Sequence, residues 1–303
     1  MKNYALAAIA LVGGMVIVSC GNSGYKKTET GLAYSIVDEG KGEKLKHGEL
    51  IKINLKLMIG DSIVQDTYAH IPGYLKIDSS QKGQHNFIDI LTMLKVGDSV
   101  LINHSLDTLK KMGQLPPTMN YAAGSVMKGY LKIVARFKNE AEIEADYKKE
   151  EAAELAKESS KIEKYLKEKN ITATKTAKGA FVVITTPGTG DVADSGKMAS
   201  INYHGTTLDG IPFDSNIDTA FGHAGKPFEF VIGRDPVVEG WVECLKYLRE
   251  GGKGKFYIPA MLAYKNQPKS DVIKAYTDLV FDIEVVSVKI PPVTNDTPPM
   301  PGQ

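Results

Sequence analysis

The chain has 303 residues, more than one ordinary domain needs and enough for two. Its composition, 43% hydrophobic and 24% charged, is typical of a folded globular protein and argues against a disordered one. With 37 basic and 36 acidic residues the formal net charge is +1, which gives no reason to expect nucleic acid as a partner.

Residues 1 to 19 have the pattern of a signal peptide. Lys2 precedes an apolar run over residues 5 to 18 that is too short to span a membrane comfortably. The run ends in Val-Ser-Cys-Gly, which resembles a bacterial lipobox and predicts lipid attachment at Cys20, with residues 20 to 27 as a lipidated tether. Ordinary secretion with an incidental cysteine is the alternative. The other cysteine, Cys244, lies in an apolar helical stretch and is expected to be a buried, inert thiol.

No acidic residue directly follows Cys20. In this respect the segment resembles lipoproteins sorted to the outer membrane. It predicts a protein of the cell envelope, anchored by lipid at the periplasmic face of the outer membrane if the cell has two membranes.

Residues 28 to 138 alternate apolar and polar side chains in several places. This pattern predicts strands beginning near Leu50, Val100 and Tyr130. Apolar residues at helical spacing predict a helix that begins at Phe87 and stops at Gly97.

Residues 139 to 170 are rich in Glu, Lys and Ala and contain neither Gly nor Pro, which predicts a helical linker. The capping-box pattern from Ser160 to Glu163 predicts that it is split into two helices. A spacer helix is favoured over a dimerising one because the apolar residues do not keep a heptad repeat. Residues 291 to 303 are rich in proline and predict an extended or disordered tail.

Residues 171 to 290 carry an ordered set of segments. Two strands surround a Leu-Asp-Gly turn between Ser200 and Asp214, and the segments 226–233, 237–252, 256–264 and 279–288 follow. In this order the segments closely resemble the FKBP family of peptidyl-prolyl cis-trans isomerases, over about the last third of the chain. The family fold is a twisted antiparallel sheet wrapped on one short helix, with an aromatic pocket between them.

The resemblance implies a set of pocket residues. The catalytic set would be Tyr203, Phe213, Asp214, Trp241, Tyr264 and Phe281, with Trp241 as the floor and Asp214 as the acidic group at the edge. The substrate-binding set would be Phe228, Val237, Val238 and Ile273. Any one of these aromatic residues alone would be read as core packing, and only their joint presence in this order indicates a pocket.

Residues 28 to 138 resemble the second half more weakly. An offset of 148 aligns Leu55 with Tyr203, Gln65 with Phe213 and Asp66 with Asp214. A second anchor at an offset of 154 aligns Phe87 with Trp241 and Lys110 with Tyr264, and Gly129 falls on Phe281. The chain is therefore expected to be an α+β protein of two FKBP-like domains, the first degenerate, joined by the charged helical linker. An unrelated β-rich first domain is the alternative.

The function that the resemblance implies is a membrane-tethered peptidyl-prolyl cis-trans isomerase that assists the folding of exported proteins. Its partners would be proline-containing polypeptide clients, and macrolide inhibitors of the FKBP class, although Lys269 stands where the family often has histidine. No cofactor is expected, and the spacing of the six histidines predicts no metal site. A non-catalytic chaperone that holds clients in the same pocket is the alternative, and a structural lipoprotein is a weaker one.

Overall fold

The structure is a computed structural model that describes residues 24–83, 85–222 and 225–292. The predicted signal peptide, Cys20 and the tail beyond residue 292 lie outside the described residues. The chain divides into two compact units, Met1–Glu140 and Ala141–Gln303, called unit 1 and unit 2 below. Among the described residues, no helix is both long and apolar enough to cross a membrane.

Unit 1 is built on one seven-stranded antiparallel sheet within the described residues. Its strands are β1 (Lys26–Lys27), β2 (Ala33–Asp38), β3 (Leu50–Ile59), β4 (Ser62–Asp66), β5 (Gly73–Lys76), β6 (Ser99–Ser105) and β7 (Val126–Phe137), and its helices are α1 (Ile88–Leu91) and α2 (Leu106–Lys111). The strands near Leu50, Val100 and Tyr130 are confirmed. The helix near Phe87 is confirmed but shorter than expected, because the chain continues to Gly97 in tight turns.

The long helix α3 (Glu140–Glu168) begins at the boundary of the two units and continues in unit 2, whose described residues also form a seven-stranded antiparallel sheet. The strands are β8 (Thr174–Lys175), β9 (Phe181–Thr186), β10 (Met198–Thr207), β11 (Pro212–Ser215), β12 (Phe228–Val231), β13 (Lys253–Ile258) and β14 (Leu279–Lys289). The short helix α4 (Glu239–Leu245) packs on one face of this sheet, and a turn of 3-10 helix (Ala260–Leu262) follows β13.

The two sheets have the same connectivity. Unit 1 has the order β1-β2-β6-β7-β3-β4 with β5 also paired to β3, and unit 2 has β8-β9-β13-β14-β10-β11 with β12 also paired to β10. Even the irregularities correspond, since the register shifts between Lys52 and Ile53 in unit 1 and between Ser200 and Ile201 in unit 2. Because β-bulges are specific features of a fold, this agreement supports the expectation that one unit repeats the other.

Each unit has its own hydrophobic core between its sheet and its short helix. In β6 the buried residues Val100, Ile102 and His104 alternate with half-buried ones, as expected for a strand with one face on the core. In unit 2 the helix α4 contributes Trp241, Cys244 and Leu245 to the core. Cys244 is a free, fully buried thiol, and burial raises its pKa, which agrees with the expectation of an inert residue.

The helix α3 is continuous, and the predicted break at Ser160 is wrong. The Ser160 hydroxyl donates to the carbonyl of Ala156, one turn earlier, at 2.8 Å. Serine within a helix can bond to that carbonyl instead of capping a new helix, so the capping-box pattern was satisfied inside one helix.

The helix α3 also packs on unit 2, which a free-standing spacer would not do. Ile162 and Leu166 are buried in a cluster with three residues of the sheet and its flanks, namely Phe181, Tyr257 and Val280. Ser159 donates to the carbonyl of Gly179 at 2.8 Å. The helix is therefore a structural part of unit 2 as well as the connection along the chain.

Candidate active site

Unit 2 contains an open cavity of about 430 Å³ between the sheet and the helix α4. Its lining comes from β10, β11, β12, the segment before α4, α4 itself, the loop after β13, and β14. The lining residues are Tyr203, Phe213, Asp214, Phe228, Pro236, Val237, Val238, Trp241, Ala263, Tyr264 and Phe281.

Aromatic rings form the floor and walls of this cavity. The Trp241 ring lies 5.1 Å from the Phe281 ring and 5.3 Å from the Tyr203 ring, centroid to centroid, at steep interplanar angles of 83° and 63°. Phe213 meets Phe281 edge-on at 5.5 Å and 89°. Edge-to-face contacts of this kind are worth about 0.5–1.5 kcal/mol each beyond the burial of area, so the rings hold one another in fixed orientations.

Two glycines make room for these rings. A Cβ atom on Gly205 would lie 2.8 Å from carbon atoms of both the Phe213 and the Phe281 rings. A Cβ on Gly240 would overlap the side chain of Ile258, so this glycine lets α4 approach β13 closely. Neither glycine was predicted from the sequence as part of the site, although a glycine inside a strand, such as Gly205, signals close approach of another group.

One carboxylate lies at the rim of the cavity. The Tyr203 hydroxyl donates to Asp214 Oδ2 at 2.9 Å, which fixes the tyrosine ring against the wall. Burial, followed by the hydrogen bond to Asp214, raises the pKa of Tyr203, and burial together with the Asp214 charge raises the pKa of Tyr264. Both phenols therefore stay neutral at physiological pH.

The carboxylate is itself positioned by the two residues that follow it. The buried Ser215 hydroxyl donates to the carbonyl of Tyr203, and Asn216 Oδ1 accepts the Tyr203 backbone N–H at 2.7 Å. The Asn216 amide also donates to the carbonyls of Ile201 and Lys226, so it closes the base of the loop between β11 and β12. These polar residues were not predicted from the sequence because their partners lie on other strands.

Two further groups lie at the edge of the cavity. Lys269 Nζ lies 5.3 Å from the centroid of the Tyr264 ring, a cation–π contact on the loop after β13. Val238 is the residue before the first turn of α4 and has extended dihedral angles. No acceptor for its backbone N–H is found among the described residues, so the group is available at the cavity edge.

Nine predicted pocket residues line one cavity, and Ile273 does not. Ile273 is buried in the hydrophobic core of unit 2, where its backbone is held by Ser270, so it supports the loop rather than closing the cavity. Pro236 and Ala263 line the cavity and were not predicted. Their small apolar side chains carry no chemical signal in a sequence.

Unit 1 has different side chains at the corresponding positions. Gly129 pairs with Leu57, as Phe281 pairs with Gly205 in unit 2, so the large and small residues have changed places. A Cβ on Gly129 would lie 3.3 Å from Leu57 Cδ2, and the leucine therefore lies close to the space next to this glycine. Leu55 is buried at the Tyr203 position.

The sequence alignment of strand β4 is wrong by one residue. Gln65 pairs with Leu57, whereas Asp214 pairs with the glycine of unit 2, so Gln65 corresponds to Asp214 and Val64 to Phe213. The turn before β4 is one residue shorter than the turn before β11, which an ungapped offset cannot show. Val64 is 57% exposed and forms no aromatic wall.

Comparisons with known proteins agree with this geometry. Residues 190–286 match the family model described as FKBP-type peptidyl-prolyl cis-trans isomerase. FkpA of Escherichia coli strain K12, an FKBP-type peptidyl-prolyl cis-trans isomerase, is 34% identical over 166 residues, 54% of this chain and 56% of that protein. A probable FkpA of Neisseria meningitidis serogroup B is also 34% identical, over 53% of this chain and 56% of its own length.

The match covers a larger share of a third relative. FK506-binding protein 2 of Dictyostelium discoideum is 38% identical over 94 residues, which are 31% of this chain and 67% of that protein. The crystal structure of FkpA from Escherichia coli aligns with 50% of this chain and 68% of its own at 27% identity and a TM-score of 0.38. The chain spans only about half the length of the two FkpA relatives. Through the aromatic cavity of unit 2 and the segments that build it, the chain belongs to the FKBP-type peptidyl-prolyl cis-trans isomerase family.

Proposed function

We propose that unit 2 catalyses cis–trans isomerisation of X-Pro peptide bonds in polypeptide clients. The observation that carries the proposal is the open cavity walled by mutually perpendicular aromatic rings, with a single carboxylate at its rim. Such a cavity is the right size and polarity for a proline ring and the amide that precedes it.

The reaction needs no bond to be made to the protein. Rotation about the X-Pro bond must break amide resonance, over a barrier of about 18–20 kcal/mol. The twisted amide is less polarised than the planar one, so an apolar cavity that excludes water disfavours the planar ground state relative to the twisted state. Catalysis is then stronger binding of the twisted conformer than of the planar one.

The residues of this chain have separable parts in that process. The rings of Trp241 and Phe281 exclude water from the amide, and Phe213 closes the wall beside them. The Val238 N–H donates to a carbonyl of the client and holds it while the bond turns. Asp214 keeps the Tyr203 ring in place and adds a negative potential at the rim.

The test is an assay of X-Pro isomerisation by the full mature chain, with three variants. Phe213→Ala and Asp214→Ala should each lower kcat/KM by about tenfold or more, the equivalent of at least about 1.4 kcal/mol of lost transition-state binding. Asp214→Asn keeps an acceptor for Tyr203 and should retain more activity than Asp214→Ala. A wild-type rate equal to that of buffer would refute the proposal and would favour a chaperone that binds clients without catalysis.

The clients and the location are proposed on the sequence alone. Attachment of lipid at Cys20 would tether the chain to a membrane of the cell envelope, where its clients would be exported proteins containing proline. Cys20→Ser should abolish lipid labelling and membrane recovery, and unchanged membrane recovery would contradict the tether. Macrolides of the FKBP class are expected to compete with the proline peptide, with an affinity altered by Lys269 beside Tyr264.

A further inference from the structure

The helix α3 places a buried carboxyl group against the loop that carries Tyr264. Glu158 is only 5% exposed, and its Oε2 atom accepts the backbone N–H of Met261 at 2.8 Å. Its Oε1 atom is buried and has no hydrogen-bond partner among the described residues. A carboxyl group that is half satisfied in the interior is costly to ionise, and this one faces a segment of the cavity wall.

The contact belongs to a set that fixes the turn at residues 260 to 262. Asp278 Oδ1 accepts the N–H of Ala260 at 3.1 Å, and Lys161 of the helix donates to Asp278 Oδ2 at 2.8 Å. Glu158 accepts the next N–H of the same turn. The first N–H groups of a helical turn have no acceptor within the turn, so the two carboxyl groups supply what the turn itself lacks.

The turn leads directly into the cavity. Ala263 and Tyr264 are the next lining residues, and Lys265 forms an ion pair with Glu151 of α3 at 3.1 Å. The start of the loop is therefore held by α3 at successive points. Because the turn and Tyr264 are consecutive along the chain, a change at the contact with Glu158 would move the backbone that carries the Tyr264 ring.

We propose that Glu158 is a positioning residue for the proline cavity, which holds Tyr264 in the wall while its carboxyl group is neutral and releases the loop when it ionises. This inference rests on the proposed isomerase function and adds a pH control to it. Glu158 touches neither the client nor the reacting amide.

The charges around Glu158 set the direction of this control. Burial raises its pKa to about 8, the Met261 N–H opposes that rise, Asp278 and Glu154 add to it, and Lys157 opposes it. Lys161, which lies on the same helix as Glu158, forms an ion pair with Asp278, and the negative charge of Asp209 also acts on Lys161. The native state thus keeps a proton that the unfolded chain loses near the ordinary value of 4.5. Stability from this contact is full at acidic pH and is lost progressively as the pH rises towards about 8.

The experiment compares wild type, Glu158→Gln, Glu158→Ala and Glu163→Gln in the full mature chain between pH 5 and 9. The amide of Glu158→Gln still accepts the Met261 N–H but cannot ionise. Glu163 lies on the same helix in a surface ion pair with Lys167, so its glutamine variant is a matched control. The readouts are kcat/KM on a capped X-Pro peptide, hydrogen exchange at the Met261 amide, and the fluorescence of Trp241, the sole tryptophan of the chain.

Wild type and Glu163→Gln should lose activity several-fold as the pH rises from about 5 to about 8 and then stay level, with a falling protection factor at the Met261 amide and a shifted Trp241 spectrum over the same range. Glu158→Gln should keep its activity and a constant protection factor at the Met261 amide across the range, whereas Glu158→Ala should be weakly active and weakly protected at every pH. Equal pH profiles in wild type and Glu158→Gln would overturn the inference. If the wild type is inactive on every peptide, the proposed function fails. The exchange and fluorescence profiles still decide the inference by the same comparison.

Discussion

At the scale of single residues, the cavity depends on where the chain omits a side chain as much as on the rings themselves. Gly205 lies on β10 opposite both Phe281 and Asp214, and the rings of Phe213 and Phe281 occupy the space that its side chain would need. In unit 1 the same register position is Leu57, and the ring that it would face is replaced by Gly129. With Leu57 in place of the glycine and Gly129 in place of the phenylalanine, unit 1 has an aliphatic side chain packed against its core where unit 2 has an open aromatic wall.

The first prediction follows from this glycine. Gly205→Ala should force the Phe213 and Phe281 rings apart and cost about 1–3 kcal/mol of stability, as overpacking of a tight core does. The loss of kcat/KM, expressed as a free energy, should exceed the loss of unfolding free energy, because the displaced rings are the cavity wall. Chemical denaturation and kcat/KM on an X-Pro peptide measure the two effects. Gly222→Ala is the control, since a Cβ there meets nothing within 4 Å, and normal activity in Gly205→Ala would show that the rings tolerate the shift.

At the same scale, the sequence predicted the aromatic residues well and the polar supports poorly. Tyr203, Trp241 and Phe281 could be assigned because the ordered segments that contain them resemble the FKBP family, which implies their places in the pocket. Asn216 could not, since an asparagine after a strand usually signals only a turn and its three partners are backbone groups of distant residues. Gln65 was misplaced because one residue of turn length changes which face each residue of a strand occupies.

At the scale of elements, α3 has a buried face that is hard to recognise in the sequence, because charged and polar residues lie within it. Its buried face runs through Leu155, Glu158, Ser159, Ile162 and Leu166, at the spacing of one helical stripe. Glutamate and serine interrupt that stripe in the sequence, and the helix was predicted to be a spacer because its apolar residues keep no heptad repeat. Both polar residues are buried because unit 2 offers them backbone partners, at Met261 and Gly179. A sequence does not reveal such partners.

The second prediction concerns the docking of this helix. Ile162→Ala removes a fully buried side chain from its contact with Phe181, Tyr257 and Val280, and should destabilise unit 2 by about 2–5 kcal/mol. Lys164→Ala on the exposed side of the helix is the control, with an expected change near zero. Thermal or urea unfolding of the full chain measures both. If the two variants unfold alike, the helix is a spacer after all.

At the scale of the whole molecule, two sheets of the same order and the same bulges carry different surfaces. Unit 2 keeps the aromatic walls, while unit 1 has Leu55, Gly129 and Lys110 where unit 2 has Tyr203, Phe281 and Tyr264. The core of unit 1 is nevertheless complete, because its sheet buries residues such as Ile53, Leu131 and Ile133. The two units therefore share a strand order while their side chains at the cavity positions differ, since strand pairing and core burial do not depend on the residues that line the cavity of unit 2.

The last prediction is that unit 1 folds but does not isomerise. The side chains that correspond to the cavity wall of unit 2 provide no apolar enclosure: Val64 is exposed, Gly129 has no side chain where Phe281 has a ring, and Lys110 Nζ lies 5.5 Å from the centroid of the Tyr121 ring. Without that enclosure, a twisted amide has no advantage over a planar one. A fragment of residues 24 to 140 should show a cooperative unfolding transition and the uncatalysed isomerisation rate. A fragment of residues 141 to 292, which keeps all of α3 except its first residue, should match the full chain.

Cutting the second fragment at residue 161 would remove Leu155, Glu158 and Ser159 from their contacts, so that fragment should be less stable and less active than the one that begins at 141. This order of activities separates the contribution of α3 from that of unit 1. Catalysis by residues 24 to 140 at a rate comparable with residues 141 to 292 would show that a glycine at the position of Phe281 does not abolish catalysis. In that case the enclosure of the amide would have to come from residues of unit 1 other than those at the corresponding positions.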